Sequence, residues 1–512
     1  MRFPRASGVL LHPSSLPGPH GSGDFGPAAY HFVDWLVSAG QSLWQILPLG
    51  GLGLGDSPYM SSSAFAGNVL LIDLADLHAS GWLDTADLAP VSGFDEGTVN
   101  YEVVRPFRME RLARAARRFA LWASSAERSD FEAFCESHAN WLVDYARFMA
   151  LAEQFAGRDW CDWDPPLVRR DAAALREVDT AHAERIAFWK FCQWRFYSQW
   201  QRLKDYAHGR DVKIVGDAPI FIALHSAEVW ARPDLFELGP DGRPTVVAGV
   251  PPDLFSATGQ RWGNPLYRWR AHAKEGYAWW IERIRRTFEL VDIVRVDHFR
   301  GFAAHWEIQA SEPTAIHGRW VKGPGKKLFD AIGKALGPLP IIAEDLGVIT
   351  PDVVRLRKAL ALPGMRVLQF AWGEIDGALG DPHHLPHQYE PDAVVYPGTH
   401  DNNTALGWWH TAPEHVRHHL REYLASDGLD VGWDLIRAAC ASVADTTVSA
   451  LQDVLGLDGA HRMNFPGKAE GNWRWRFSWS QVHPHHAARL RRLCQLYERL
   501  PGEDGSGAAV TR

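Results

Sequence analysis

No stretch of the 512-residue chain approaches the roughly 20 consecutive apolar residues of a membrane-spanning helix. The N-terminal MRFPRASGVLLHPSS has two arginines but too short an apolar run for the hydrophobic region of a secretory signal. Cysteine is sparse. Cys135, Cys161, Cys192, Cys440 and Cys494 are scattered without CxxC or other metal-like spacing, so free thiols in a reducing, cytoplasmic setting are expected. Basic runs are absent and the formal charge is −8, which argues against nucleic acid as a partner. A GxxxxGK[ST] phosphate loop is missing, and so is an HExxH zinc motif.

What the chain does have is ordinary globular composition, 46% apolar and 22% charged, with a surplus of 24 tryptophans. Such a surplus suits either a large core or stacking against flat apolar ligand faces, of which sugar rings are one kind. The first 50 residues read as strand, helix, strand: SGVLL, a helix opened by Pro27 with Gly40 behind it, then SLWQILPLG. That βαβ unit predicts a parallel sheet. The Gly- and Ser-rich loop 50–68 reads as ligand-facing, with Ser57 and Tyr59 as candidate contacts. Strand signals follow near 213, 294, 341, 367, 394 and 451 (VSALQDVLGL), which makes eight.

Two long gaps separate these signals. Residues 70–205 show apolar recurrence at three and four residues in YEVVRPFRMERLARAARRFALWA, FEAFCESHANWLVDYARFMALAEQFA and AERIAFWKFCQWRFYSQWQRLKDYA, so a helical insertion is expected. Residues 220–290 mix Gly, Pro and aromatics and read as an irregular, ligand-covering insertion. Residues 501–512, after the last helix, read as a disordered tail. Eight βα units point to a single α/β domain over 1–500, a (β/α)₈ TIM barrel, with a doubly wound open sheet as the alternative.

The chemistry gathers around IVRVDHFRGF, residues 293–302. A β-branched run ends in Arg295 and Asp297, two residues apart and on one side of a strand, followed by His298. A buried structural ion pair would look the same. Asp217 ends the third strand signal, Glu344 the fifth, and His400 with Asp401 the seventh. Barrel sites gather at strand carboxyl ends, which favours chemistry over structure. Three carboxylates and an arginine fit retaining glycoside chemistry, in which two carboxyl groups about 5–5.5 Å apart act as nucleophile and acid/base. Asp297 is the expected nucleophile, its pKa lowered by Arg295. Glu344, behind the apolar run PIIA, is the expected acid, with Asp401 and His400 holding substrate hydroxyls.

The motifs HPSSLPGPHGSGDFG, GDSPY, SAFAGN, GDAPIF, AGVPPDLFSATGQRWGNPLY, RVDHFRGF, AEDLG, GTHDNNT and HRMNFPG, spread over residues 7–480, resemble those of the amylomaltases. These are the 4-α-glucanotransferases of glycoside hydrolase family 77. The resemblance implies a (β/α)₈ barrel without a C-terminal β-sandwich, no cofactor and no metal, and α-1,4-glucans and maltooligosaccharides as partners. It implies Asp297 as nucleophile, Glu344 as general acid/base and Asp401 as transition-state stabiliser. Tyr59, Asp217, Arg295, His298 and His400 would surround the donor glucose, with Trp262, Asn264, Phe370 and Asn464 lining the glucan groove; Ser57 and Gln260 are further candidate substrate contacts. Family members often carry Tyr where this chain has Leu54 and Leu254, and Gln at Met60, departures that bear on an auxiliary glucan groove and acceptor preference. An amylase-type hydrolase shares the triad. A metal-dependent hydrolase using Asp297, His298, His400 and Asp401, and a non-catalytic glucan-binding protein, are the readings from other classes.

Overall fold

The computed structural model describes residues 3–252, 256–375 and 378–502. Leu254 and the expected tail from residue 503 onward lie outside them. Eight strands line up in one sheet: β1 (Ala6–Leu10), β2 (Leu43–Gln45), β3 (Lys213–Pro219), β4 (Ile293–Asp297), β5 (Ile341–Ala343), β6 (Gly364–Val367), β7 (Ala393–Tyr396) and β8 (Thr446–Ala450). All seven of the ladders that join them are parallel, and β8 pairs with β1. The eighth junction, β5 to β6, has no ladder. Ala343 N–H donates to Pro363 O (2.9 Å) and Met365 N–H to the Asp345 carboxylate (2.7 Å), and these bonds close a (β/α)₈ barrel. Val9, Val294, Val367 and Val394 are completely buried, as a strand covered on both faces requires.

The last strand differs from its expected position. It spans Thr446–Ala450, and Leu451–Val454 is already helical. The β1 ladder pairs Ala6 with Thr446 and Leu10 with Ala450, so the threonines rather than the leucines enter the sheet. Helix Pro27–Ser38 starts and stops where Pro27 and Gly40 predict, Gly40 adopting φ +70°. Just before it, Gly21, Gly23 and Gly26 have the GxGxxG spacing of a dinucleotide loop, yet Gly23 serves packing: a Cβ there would sit 2.0 Å from Pro13 O.

Between β2 and β3 lie the helices Tyr101–Trp122, Ser125–Ser137, Ala139–Gln154 and Ala183–His208. The expected second helix is broken at His138, whose φ of −112° and ψ of 8° leave the helical region. Aromatics dominate this packing. Trp82 meets Phe119 and Phe191 edge-on at 5.3 and 5.6 Å, and Trp44, Trp160, Trp200 and Trp230 are wholly buried. The core therefore takes much of the tryptophan surplus.

The stretch read as irregular carries strands Val246–Val250 and Gln260–Pro265. They join Ala304–Gln309 and Gly318–Lys322 in a four-stranded antiparallel sheet in the order 260–265, 246–250, 304–309, 318–322. The central ladder, Val246–Val250 against Ala304–Gln309, pairs residues about 60 apart and leaves no local signal. Among the described residues no helix is long and apolar enough to cross a membrane, and all five cysteines are free.

Candidate active site

β3 and β4 set the floor of the site. In their ladder Asp217 stands beside Arg295 and Pro219 beside Asp297. The Arg295 side chain, 4% exposed, points Nη1 at both Asp217 oxygens (2.8 and 2.6 Å) and at Asp297 Oδ1 (3.1 Å), and its Nε–H donates to Met365 Sδ (3.3 Å). Tyr59, on the turn Pro58–Met60 after β2, donates its O–H to Asp217 Oδ2 at 2.9 Å. Burial first, and the Asp217 charge next, raise the Tyr59 phenol well above its ordinary value, so it keeps this proton.

His400 Nε2 lies 2.9 Å from the same phenol oxygen and 3.4 Å from Asp401 Oδ2. With the phenol proton committed to Asp217, the oxygen can only accept, which puts the hydrogen of His400 on Nε2. Asn464, in the loop after β8, donates Nδ2–H to Asp401 Oδ1 at 2.6 Å. One polar chain thus runs Asp297, Arg295, Asp217, Tyr59, His400, Asp401, Asn464, drawn from β4, β3 and the loops after β2, β7 and β8.

Glu344 follows β5 directly. Its Oε2 accepts from His298 N–H and its Oε1 from Leu346 N–H, both at 2.7 Å. Burial pushes its carboxyl up to about 8; Arg295 and the two N–H groups oppose that rise and the Asp297 charge adds to it. Asp297 also rises, to about 6, because burial outweighs Arg295 and because Asp217 and Asp401 are negative neighbours. That corrects the expectation that Arg295 sets Asp297 below its ordinary value. The guanidinium limits the rise and burial decides its direction. At neutral pH Asp297 is still mainly ionised and Glu344 mainly protonated.

His298 turns its N–H onto Glu344 by adopting a left-handed backbone, φ +50° and ψ 47°, uncommon for a side chain with a Cβ. Burial lowers its imidazole to about 3, so it is neutral. Trp262 packs edge-on against it at 4.8 Å, from the strand that also carries Gln260 and Asn264. Gln260 Oε1 accepts from the Trp262 indole N–H (3.1 Å), and Asn264 Nδ2–H points at Met60 Sδ (3.6 Å). Ser57 Oγ caps the Tyr59 turn through Tyr59 N–H (3.2 Å), so it shapes the loop. Phe370, half-buried, sits in the turn Leu368–Phe370 after β6.

Two contributors escaped sequence reasoning. Arg462 donates to the carbonyls of Asp401 (2.8 Å) and Asn464 (3.1 Å), tying the loops after β7 and β8 together. Trp473 lies 5.5 Å from the Tyr59 ring and 6.0 Å from His400. Arg462 lies within the motif HRMNFPG, of which only Asn464 is singled out, and a lone Trp in a loop gives no pattern to read. Among the described residues no group of three or more His, Cys, Asp or Glu side chains is arranged to hold a metal.

A family model described as 4-alpha-glucanotransferase, glycoside hydrolase family 77, matches residues 11–481. The chain belongs to this 4-alpha-glucanotransferase family. It is 50% identical over 508 residues to a 4-alpha-glucanotransferase of Thermus thermophilus, covering 98% of this chain and 100% of that one. A Synechocystis 4-alpha-glucanotransferase is 44% identical over 501 residues, covering 97% and 98% of the two chains. An amylomaltase from Streptococcus agalactiae, solved in complex with acarbose, superposes with a TM-score of 0.93 at 38% identity, covering 97% of this chain and 99% of that one. The activity of the chain is that of the 4-alpha-glucanotransferases.

Proposed function

We propose that this family member transfers α-1,4-glucan segments by a retaining double displacement, with Asp297 as nucleophile, Glu344 as general acid/base and Asp401 as stabiliser of the oxocarbenium-like transition state. The observation that carries the reading is the split between two neighbouring carboxyl groups, one facing a guanidinium and one buried beneath two backbone N–H groups. In the first step Asp297 Oδ attacks the anomeric carbon, the C1–O4 bond breaks, and Glu344 gives its proton to the leaving oxygen. In the second, Glu344 takes the proton from the 4-hydroxyl of an acceptor glucan, which displaces Asp297 from C1 and restores the α-linkage.

Asp401, held by Asn464 and Arg462, would grip sugar hydroxyls that move closer in the distorted ring. Tyr59, His298 and His400 would flank the donor glucose, the strand carrying Gln260, Trp262 and Asn264 would cover the acceptor side, and Phe370 would line the glucan groove. The proposed chemistry calls for no cofactor, and scattered free thiols support a cytoplasmic setting. An acceptor hydroxyl on the same donor chain would close cyclic glucans from amylose.

Maltotriose alone tests transfer. Glucose together with maltooligosaccharides longer than three units is expected; glucose and maltose with nothing longer would make the chain a hydrolase.

The carboxyl split also sets a pH profile. Asp297 must be ionised, and its value of about 6 means that kcat/KM falls as pH drops through 6. Glu344 must be protonated, and its value of about 8 means that kcat/KM falls as pH rises through 8. A bell with its plateau between these limbs is expected from initial rates of maltotriose cleavage, and a profile flat from pH 5 to 9 would contradict the assignment.

A further inference from the structure

Glu344 is fastened on one side only by backbone. Its N–H donates to Val296 O (3.1 Å) and its carbonyl accepts from Phe299 N–H (3.2 Å), both on the β4 side. Toward β6 there is no ladder, and β5 has ended one residue earlier. Beside the single backbone bond from Ala343 N–H to Pro363 O (2.9 Å), what reaches across is the next side chain. Asp345, 1% exposed, accepts from Met365 N–H at 2.7 Å through Oδ1. Its Oδ2 lies 3.1 Å from Arg357 Nε, in the helix Pro351–Ala359 that connects β5 to β6, and Arg366 Nη1 stands 3.8 Å from Oδ1.

The opposing residue on β6 makes room for this carboxylate. A Cβ at Gly364 would lie 2.5 and 2.7 Å from the two Asp345 oxygens. Met365, whose N–H is held this way, presents its sulfur to Arg295 Nε at 3.3 Å.

We propose that Asp345 is a positioning residue of the transfer reaction: across the unladdered β5–β6 seam it fixes the backbone from which the Glu344 carboxyl projects. The proposal rests on the reading of Glu344 as the acid/base. A buried carboxylate bridging a strand end, the next strand and the connecting helix replaces the ladder that holds the other strands. Without it, the seam keeps the one Ala343–Pro363 backbone bond, the segment beyond it is held from the β4 side alone, and the carboxyl swings relative to the leaving oxygen. Misplacing a general acid matters in proportion to how much protonation the leaving group needs.

That gives a test a merely structural role would not pass. Glucose leaves maltotriose, with the maltosyl unit passing to Asp297, only if its departing O4 is protonated, whereas fluoride departs from α-maltosyl fluoride with the C–F electron pair as Asp297 forms the bond to C1. No acid is required in the second case. The Asp345→Ala variant should cleave maltotriose in the first turnover on the order of 10- to 100-fold more slowly, and release first-turnover fluoride within about threefold of wild type. Asp345→Asn keeps an acceptor for Met365 N–H but loses the charge against Arg357 and Arg366. It should show the same selectivity at smaller size, and it carries the test if the alanine variant does not fold. Gly364→Ala, which presses on the carboxylate from β6, should behave likewise.

Equal slowing on both substrates, or no slowing on either, overturns the proposal. Glu344→Gln is the control. If it too slows both substrates equally, the acid/base reading has failed; if it is leaving-group selective and the Asp345 and Gly364 variants are not, only the positioning role has failed.

Discussion

Asn in place of Asp297 should lower maltotriose turnover by on the order of 10⁴-fold or more and leave the fold and oligosaccharide binding in place. The substitution is isosteric. Asn Oδ1 can still accept from Arg295 Nη1, as Asp297 Oδ1 does at 3.1 Å, and Arg295 keeps both oxygens of Asp217, so the guanidinium stays where it is. What disappears is the anionic oxygen that forms the bond to C1, and an amide cannot form that intermediate. Isothermal titration of the variant with maltotetraose should give an affinity close to that of wild type, because Tyr59, His400, Trp262 and Asp401 are untouched. Turnover within tenfold of wild type would remove Asp297 from the nucleophile role. Loss of both binding and turnover, with an unchanged circular dichroism melt, would make it a binding group.

The second large effect is expected from Arg295→Met. Asp217, with a fully buried side chain, would keep the Tyr59 hydroxyl and lose its only charged partner at hydrogen-bond distance among the described residues. Leaving a buried carboxylate unpaired costs about 3–5 kcal/mol, a sizeable share of a typical domain's total stability. Thermal and urea unfolding at pH 7 would measure it, and a loss below about 1 kcal/mol would mean that water reaches Asp217 in the variant. A second readout is independent of stability. Arg295 opposes the burial-driven rise of Asp297, so its removal lets that carboxyl rise further. The acidic limb of kcat/KM should then move to higher pH while the alkaline limb, governed by Glu344, moves in the same direction by less, since Arg295 opposes its rise too. An acidic limb that stays near pH 6 would mean Arg295 does not act on Asp297 electrostatically.

Much of the barrel could be read locally. Strands such as IVRVD and AVVY, buried on both faces, leave β-branched runs that stop at polar residues, and those stops lie at one end of the barrel. β8 was displaced because hydrophobicity alone marks VSALQDVLGL, whereas the sheet takes the threonines that fit against β1 and lets Leu451 begin a helix. The antiparallel sheet was missed for a different reason. Val246–Val250 pairs on one side with Gln260–Pro265 and on the other with Ala304–Gln309, beyond two helices and a barrel strand, and neither outer partner is long or apolar enough to announce itself.

In the site, residue types and strand ends brought Asp217, Arg295, Asp297, Glu344 and Asp401 into view, but the balance between burial and charge at Asp297 depends on how deeply it is enclosed. Neighbour spacing cannot supply that. Nor could it give the neighbouring Asp345 a role: the apolar run PIIA points to Glu344, and only the direction each side chain takes, one to His298 and Leu346 and the other to Met365 and Arg357, shows what Asp345 does.

The enclosed tryptophans have an optical consequence. Trp44, Trp160, Trp200 and Trp230 are at most 1% exposed, so blue-shifted emission that does not respond to anything entering the cleft is expected from them. Trp262, half-buried against His298, is one of the few indoles placed to sense a glucan, and Trp473, beside Tyr59, is another. Intrinsic fluorescence of the whole chain would therefore change little on saturation, as a small signal riding on a constant background. Subtracting the spectrum of a Trp262→Phe variant would isolate the reporter at the acceptor side.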